Sequence, residues 1–196
     1  DVFVQGNWLL PMLEVFKTKE NVGVVGNVQR LANSLRYDHM GMVFSPQGIP
    51  RHYGQGFFYR PFKGKVMQWS AVTAACCITI RERFLDFSGF DELFVNGCED
   101  IDLCLRMGED GLFHYVVHDS VVYHIKCASH GRLDHNMQNE AKFLERWEQK
   151  IISHYFPSDC RRYASWYLLR SFFNPRTLKI KLILESLCLL ISKARK

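Results

Sequence analysis

No two cysteines in this sequence are spaced C-x-x-C, although seven are present. The count is odd. Cys76, Cys77 and Cys104 sit inside apolar periodic segments, where a thiol behaves as a small hydrophobe. A secreted disulfide framework is disfavoured, and a reducing, cytoplasmic compartment fits better. No apolar run reaches the roughly 18 residues of a membrane-spanning helix. No secretory signal, internal repeat, low-complexity tract or recognised nucleic-acid motif occurs. The chain lacks an initiator Met. Acids are almost missing from its last stretch, where residues 161–196 hold nine Lys or Arg against the single acid Glu185.

What is present describes a globular protein. The 196 residues are 47% hydrophobic and 14% aromatic, enough for one domain with a packed core. The net charge of +5 is uneven, because the tail alone carries +8 and leaves about −3 for the rest. A basic tail on a near-neutral body points to an anionic surface, lipid headgroups before nucleic acid. The expected organisation is a domain over 1–155 and a basic, amphipathic helical tail over 156–196.

Local patterns set the expected elements. Val2-Phe3-Val4 reads as a strand, and residues 8–16 have helical apolar spacing. The Val-rich run 21–29 reads as a buried strand, and 41–44 as a short one. Residues 65–80 read as one long β-rich run, followed by a short helix over 81–87. Two strands, 113–118 and 120–125, are expected around a turn at His118-Asp119. Residues 133–155 read as a helix that Pro157 stops. Residues 177–194 form a last helix with Ile180, Ile183, Leu184, Leu187, Leu190 and Ile191 on one broad apolar face. That face packs on its own domain or a partner, or lies in a membrane interface with Tyr163, Trp166 and Tyr167 at headgroup level.

The chemistry-bearing stretch is 89–106, GFDELFVNGCEDIDLCLR. It reads as a loop turning at Gly97, where positive φ is free of strain, then a helix opened by Glu99, Asp100 and Asp102. Such acids can simply meet the unpaired N–H groups and positive dipole of a helix start. They can also hold a carboxylate in a cleft as a general base. His124, Cys127, His130 and His135 form a loose cluster whose spacing fits no standard zinc site. Arg51, His52 and Tyr53 are exposed-loop candidates for facing a substrate.

Five segments, in order, resemble family-two glycosyltransferases of the GT-A fold, which use nucleotide-sugar donors. They are Asp1 with Trp8, the Val24-Val25-Gly26 strand, the run Val72–Arg81, the Glu99-Asp100 loop and the strand end Val121-Val122-Tyr123-His124. The acidic stretch follows the family's G-F-D-E-x-F … G-x-E-D-x-D-L-x-x-R pattern. Asn139, Phe143, Arg146 and Trp147 follow its N-x-x-x-F-x-x-R-W arrangement. Ala74 stands where the family commonly has Gly.

The resemblance implies an α/β fold: a GT-A-like mixed sheet flanked by helices, representing the C-terminal, acceptor-side half without the nucleotide-binding half. It implies inverting transfer of a sugar to a hydroxyl of a glycan or lipid-linked acceptor. Asp100 is then the general base, with Glu99 beside it. Asp1 and His124 hold a divalent cation, Mn²⁺ or Mg²⁺, on the diphosphate. Arg132 neutralises the diphosphate, and Ala74 lets the donor sugar approach the backbone. The alternative is a catalytically incomplete GT-A fragment that serves as a binding, scaffold or membrane-associated module, placed at the inner face of a membrane by its tail.

Overall fold

The computed structural model of the protein describes residues 2–125 and 134–194. Its centre is a pair of long parallel strands, β2 (Val22–Leu31) and β8 (Phe113–His124). Every residue from Val22 to Val28 is buried, as is Gln29, so β2 reads as a continuous apolar run and not as an alternating one. Its side chains are divided between two cores, without strict alternation because the register shifts between Val22 and Val25. Val22 and Val25 pack with Met12 and Val15 of α1 (Leu10–Thr18), while Val24 and Val28 face the larger cluster.

Each long strand meets two short partners in succession. Along β8, β6 (Val66–Trp69) pairs with residues 114–117, and β1 (Val2–Val4) pairs with 122–124. Along β2, β7 (Cys77–Thr79) pairs with 24–26, and β3 (Tyr37–His39) pairs with 29–30. A separate hairpin joins β4 (Met42–Phe44) to β5 (Pro50–His52). Five further helices complete the described chain: α2 (Arg81–Asp86), α3 (Glu99–Glu109), α4 (Asn136–Lys150), α5 (Phe156–Phe173) and α6 (Ile180–Ala194). None of the described helices is long and apolar enough to cross a membrane.

The fold corrects several expectations. The run over 65–80 is two strands, because residues 70–76 leave the sheet and cross over Gly26, where a Cβ would stand 3.1 Å from Val72. The two strands expected around His118-Asp119 are one strand carrying a bulge. Asn27 faces Val117 and Val28 faces Val121, so residues 118–120 loop out of register. The bulge is held from outside: Arg60 donates to the His118 carbonyl, Gly64 N–H to Asp119 at 3.0 Å, and Ser120 Oγ to the Trp8 carbonyl at 2.6 Å.

Pro157 does not stop the helix before it. α4 widens into a π turn over Ile151–Tyr155, and α5 starts with Pro157 in its first turn, where a missing N–H costs little. α5 is not a surface element either. Tyr163, Trp166 and Tyr167 are only 4%, 1% and 6% exposed and belong to the same core as Val24, Val28 and Leu105. Buried in this way, they are not at headgroup level. Of the basic tail, α6 alone presents a broad apolar face outward.

Candidate active site

The acidic loop and α3 are built by backbone constraint. The left-handed residues are Asn96 (φ 57°) and Cys98 (φ 75°), and the expected turn at Gly97 is made by its two neighbours instead. A non-glycine residue in this region costs about 1–2 kcal/mol, so surrounding contacts must hold the loop. Glu99 supplies one, accepting the Gly97 N–H. At the other end, Gly111 takes φ 80°, and Leu112 N–H closes on the Met107 carbonyl at 3.0 Å, as a helix C-cap requires.

The remaining constraint comes from α4. Asn139 is 2% exposed and clamps Val95 from both sides, donating to its carbonyl at 2.7 Å and accepting its N–H at 3.3 Å. Phe143 packs against Phe94 with ring centroids 6.5 Å apart. Arg146 donates to Asp91 and Asp102, both at 2.8 Å, and Trp147 Nε1 donates to Asp102 at 2.8 Å. Arg106 closes the network through Asp102 at 2.8 Å and the carbonyls of Phe87 and Gly89. All four motif residues of α4 therefore grip the segment that presents Glu99 and Asp100. Sequence reasoning placed the motif but not its task, because its partners lie some 45 residues upstream.

The carboxylates divide their work. Asp102 is fully buried and takes Arg106, Arg146 and Trp147, so its charge is compensated and structural. Asp100 is in no ion pair among the described residues. Oδ2 accepts the Ala74 N–H at 2.8 Å, Oδ1 accepts the Ile101 N–H at 2.9 Å, and the Thr73 hydroxyl also donates to it. Burial holds the Asp100 carboxyl above the ordinary carboxylate range. The three hydrogen bonds oppose the rise and the Glu99 charge adds to it. Beside it lies a small apolar cavity of about 40 Å³, bordered by Val24, Ala74, Cys77 and Phe90. Burial pushes the Cys77 thiol up to about 12 and that of Cys104 well up, so neither is an available thiolate.

His124 ends β8, opposite Leu31 of β2 and Val2 of β1. Its Nδ1 stands 3.7 Å from Asp38 Oδ2, and His52 Nδ1 stands 3.8 Å from the same oxygen. Gln55 donates to Asp38 Oδ1 at 3.1 Å. Asp38 is 1% exposed and escaped sequence reasoning. The only signal was an Asp-His pair in a short strand of no clear period. Asp1, Arg132, Cys127 and His130 lie outside the described residues. Among the described residues, no group of three or more His, Cys, Asp or Glu side chains is arranged to hold a metal ion. His124 offers one imidazole beside an engaged carboxylate, so the described chain carries half of the predicted ligand pair.

No family model matches the sequence. It is 31% identical over 137 residues to the uncharacterized protein y4gI of Sinorhizobium fredii (strain NBRC 101917 / NGR234), a match covering 65% of this chain and 14% of that protein. Its fold resembles the crystal structure of GalNAc-T7 with UDP, GalNAc and Mn²⁺. The TM-score is 0.56 and the identity 16%, over 90% of this chain and 36% of that one. The chain thus spans little more than a third of the solved structure it matches. The likeness shows the fold: a mixed α/β sheet flanked by helices, as in that glycosyltransferase.

Proposed function

We propose that this chain is the acceptor-side part of an inverting, family-two-like glycosyltransferase, active within the whole protein that carries it. The observation that supports it most is the treatment of two acids only two residues apart on α3. Asp102 is held by Arg106 and Arg146, while Asp100 keeps a raised pKa and, among the described residues, no ion pair, beside a small apolar cavity. A carboxylate so placed suits a general base.

In this reading Asp100 takes the proton of an acceptor hydroxyl as that oxygen attacks the anomeric carbon of the donor. Glu99 holds the loop through Gly97 N–H, and the small side chain of Ala74, in the turn that binds Asp100, lets the sugar approach the backbone. Asp1 and His124 would hold a divalent cation, which when bound supplies Lewis-acid stabilisation of the departing nucleoside diphosphate. Arg132 would add positive charge there. Gly26, crossed by the 70–76 segment, and Leu31, opposite His124, are five residues apart on β2, about 16 Å at the usual rise. In this reading a diphosphate and a sugar ring would lie between Asp100 and His124.

The full-length protein should transfer or hydrolyse one of a panel of UDP-, GDP- and dTDP-sugars in Mn²⁺. No turnover with any of them, in protein that melts cooperatively, would contradict the reading. A second reading is a binding module that rests on a membrane surface. One observation favours it: Ile180, Leu184, Leu187 and Ile191 of α6 are 41–71% exposed, with Lys179 and Lys181 at that helix's start.

A further inference from the structure

Between the β4–β5 hairpin and helices α5 and α6 lies an open cavity of about 440 Å³. Three cations line it: Arg51, Arg170 and Lys179. None of them takes part in an ion pair among the described residues. Arg51 donates only to its neighbour's carbonyl, that of Pro50, at 3.4 Å. Arg170 lies over the Trp166 ring with its guanidinium carbon 5.2 Å from the centroid. The Lys179 backbone N–H is fixed by the Tyr167 hydroxyl at 3.2 Å.

Two acids lie near this cluster, Asp38 acting on Arg170 and Glu185 on Tyr163, and each has one oxygen hydrogen-bonded by a glutamine. Glu185 accepts from Gln47 at 3.3 Å. Asp38 accepts from Gln55 and has His52 and His124 beside it. Burial, and after it the Arg51 charge, disfavour the charged form of Arg170, whose pKa is lowered against the opposing effects of Tyr167 and Asp38. Like charges gathered around a cavity are an unfavourable arrangement in the free protein. A ligand bearing an oxyanion removes that cost, and two guanidinium forks match its geometry.

We infer that this cavity binds an anionic sugar through a phosphate or carboxylate group held by Arg51, Arg170 and Lys179. Gln55 both lines the cavity and holds Asp38 beside His124, which makes the cavity a neighbour of the proposed cation site. The bound molecule is then the acceptor, or the charged end of it. The choice of a sugar and its assignment as acceptor rest on the transfer reading; oxyanion binding by the 196-residue chain does not.

The test is calorimetric titration of the chain with glucose 1-phosphate, glucuronate and uncharged glucose at low salt. At least one of the two anions should bind no less than tenfold tighter than glucose, and which of them does identifies the oxyanion. The double variant Arg51→Gln/Lys179→Gln, altered at two exposed positions, should lose at least tenfold in that affinity with an unchanged melting temperature. Asp100→Asn should leave it unaltered, so a failed transfer reaction and a failed anion site are told apart. Equal affinity for all three sugars, or full affinity in the double variant, would overturn the site.

Discussion

At the scale of single residues, environment decides what each carboxylate does. Asp100 and Asp102 stand on the same turn of α3, yet one meets backbone N–H groups and the other meets two arginines and an indole. Because burial raises the Asp100 pKa, a base there is ionised only above a value higher than its ordinary 3.8. The acid limb of kcat/KM for transfer should therefore lie above that value and vanish in Asp100→Asn.

Asp159 on α5 gives a separate check on stability. It is 2% exposed, and burial raises its pKa from 3.8 to about 6, against the opposing effects of Arg162, Ser70 and the Phe44 backbone. A raised carboxyl pKa means the neutral form is favoured in the folded state. That stabilising contribution is complete below about pH 4 and lost as pH rises through about 6. Asp159→Asn should therefore be more stable than the parent at pH 8, by about 1–3 kcal/mol in urea titrations, with little difference near pH 4.

At the scale of elements, what the sequence disclosed depended on the range of the interactions. β2 and α3 were legible because a Val-rich run and a 3.6-residue apolar period are local signals. The bulge at 118–120 was not, because polar residues there read as a turn until Gly64 and Trp8 are seen to bind them. The π turn before Pro157 was hidden for a similar reason. Proline forbids an interior helical position but not the first turn of a new helix, and only packing of Ile151 and Tyr163 in one core selects the second outcome.

The residues that serve the candidate site divide in the same way. Asp100 announced itself by motif, whereas Asp38 and the grip of α4 on the acidic loop needed contacts between distant segments. The connection from β3 to β4 carries an element-scale prediction. Gly41 has φ 139°, and a Cβ there would come within 2.1 Å of the Trp69 indole. Trp69 cannot retreat, since Tyr53 and Phe62 pack on it at 5.0 and 6.3 Å. Gly41→Ala should cost about 3 kcal/mol or more, seen as a lower urea midpoint, while Gly64→Ala, which meets no neighbouring atom and carries only the strain of its φ of 79°, should cost about 1–2 kcal/mol.

At the scale of the whole molecule, the aromatic, basic tail splits into two parts with different roles. α5 completes the core, with Tyr163, Trp166 and Tyr167 inaccessible to a membrane and only Phe172, near its end, largely exposed among its rings. α6 keeps its apolar row outward. Trp166→Ala should lower stability by about 3–5 kcal/mol in denaturant titrations, as truncation of a fully buried indole does. Wherever that variant stays folded, its binding to anionic lipid vesicles should match the parent's. An account in which α5 lies at the headgroups predicts the reverse.

The same architecture sets two points of the sheet apart: residues 70–76, whose Ala74 N–H binds Asp100, cross Gly26, and the Asp38–His124 pair lies at Leu31. The proposal that this is a sugar-transferring cleft stands or falls with the acid at its near end. Turnover of the full-length protein with its nucleotide-sugar donor in Mn²⁺, compared between the parent and Asp100→Asn, tests it most directly. The account predicts a loss of about 100- to 10,000-fold with a melting temperature close to the parent's. Parental turnover in Asp100→Asn would contradict it.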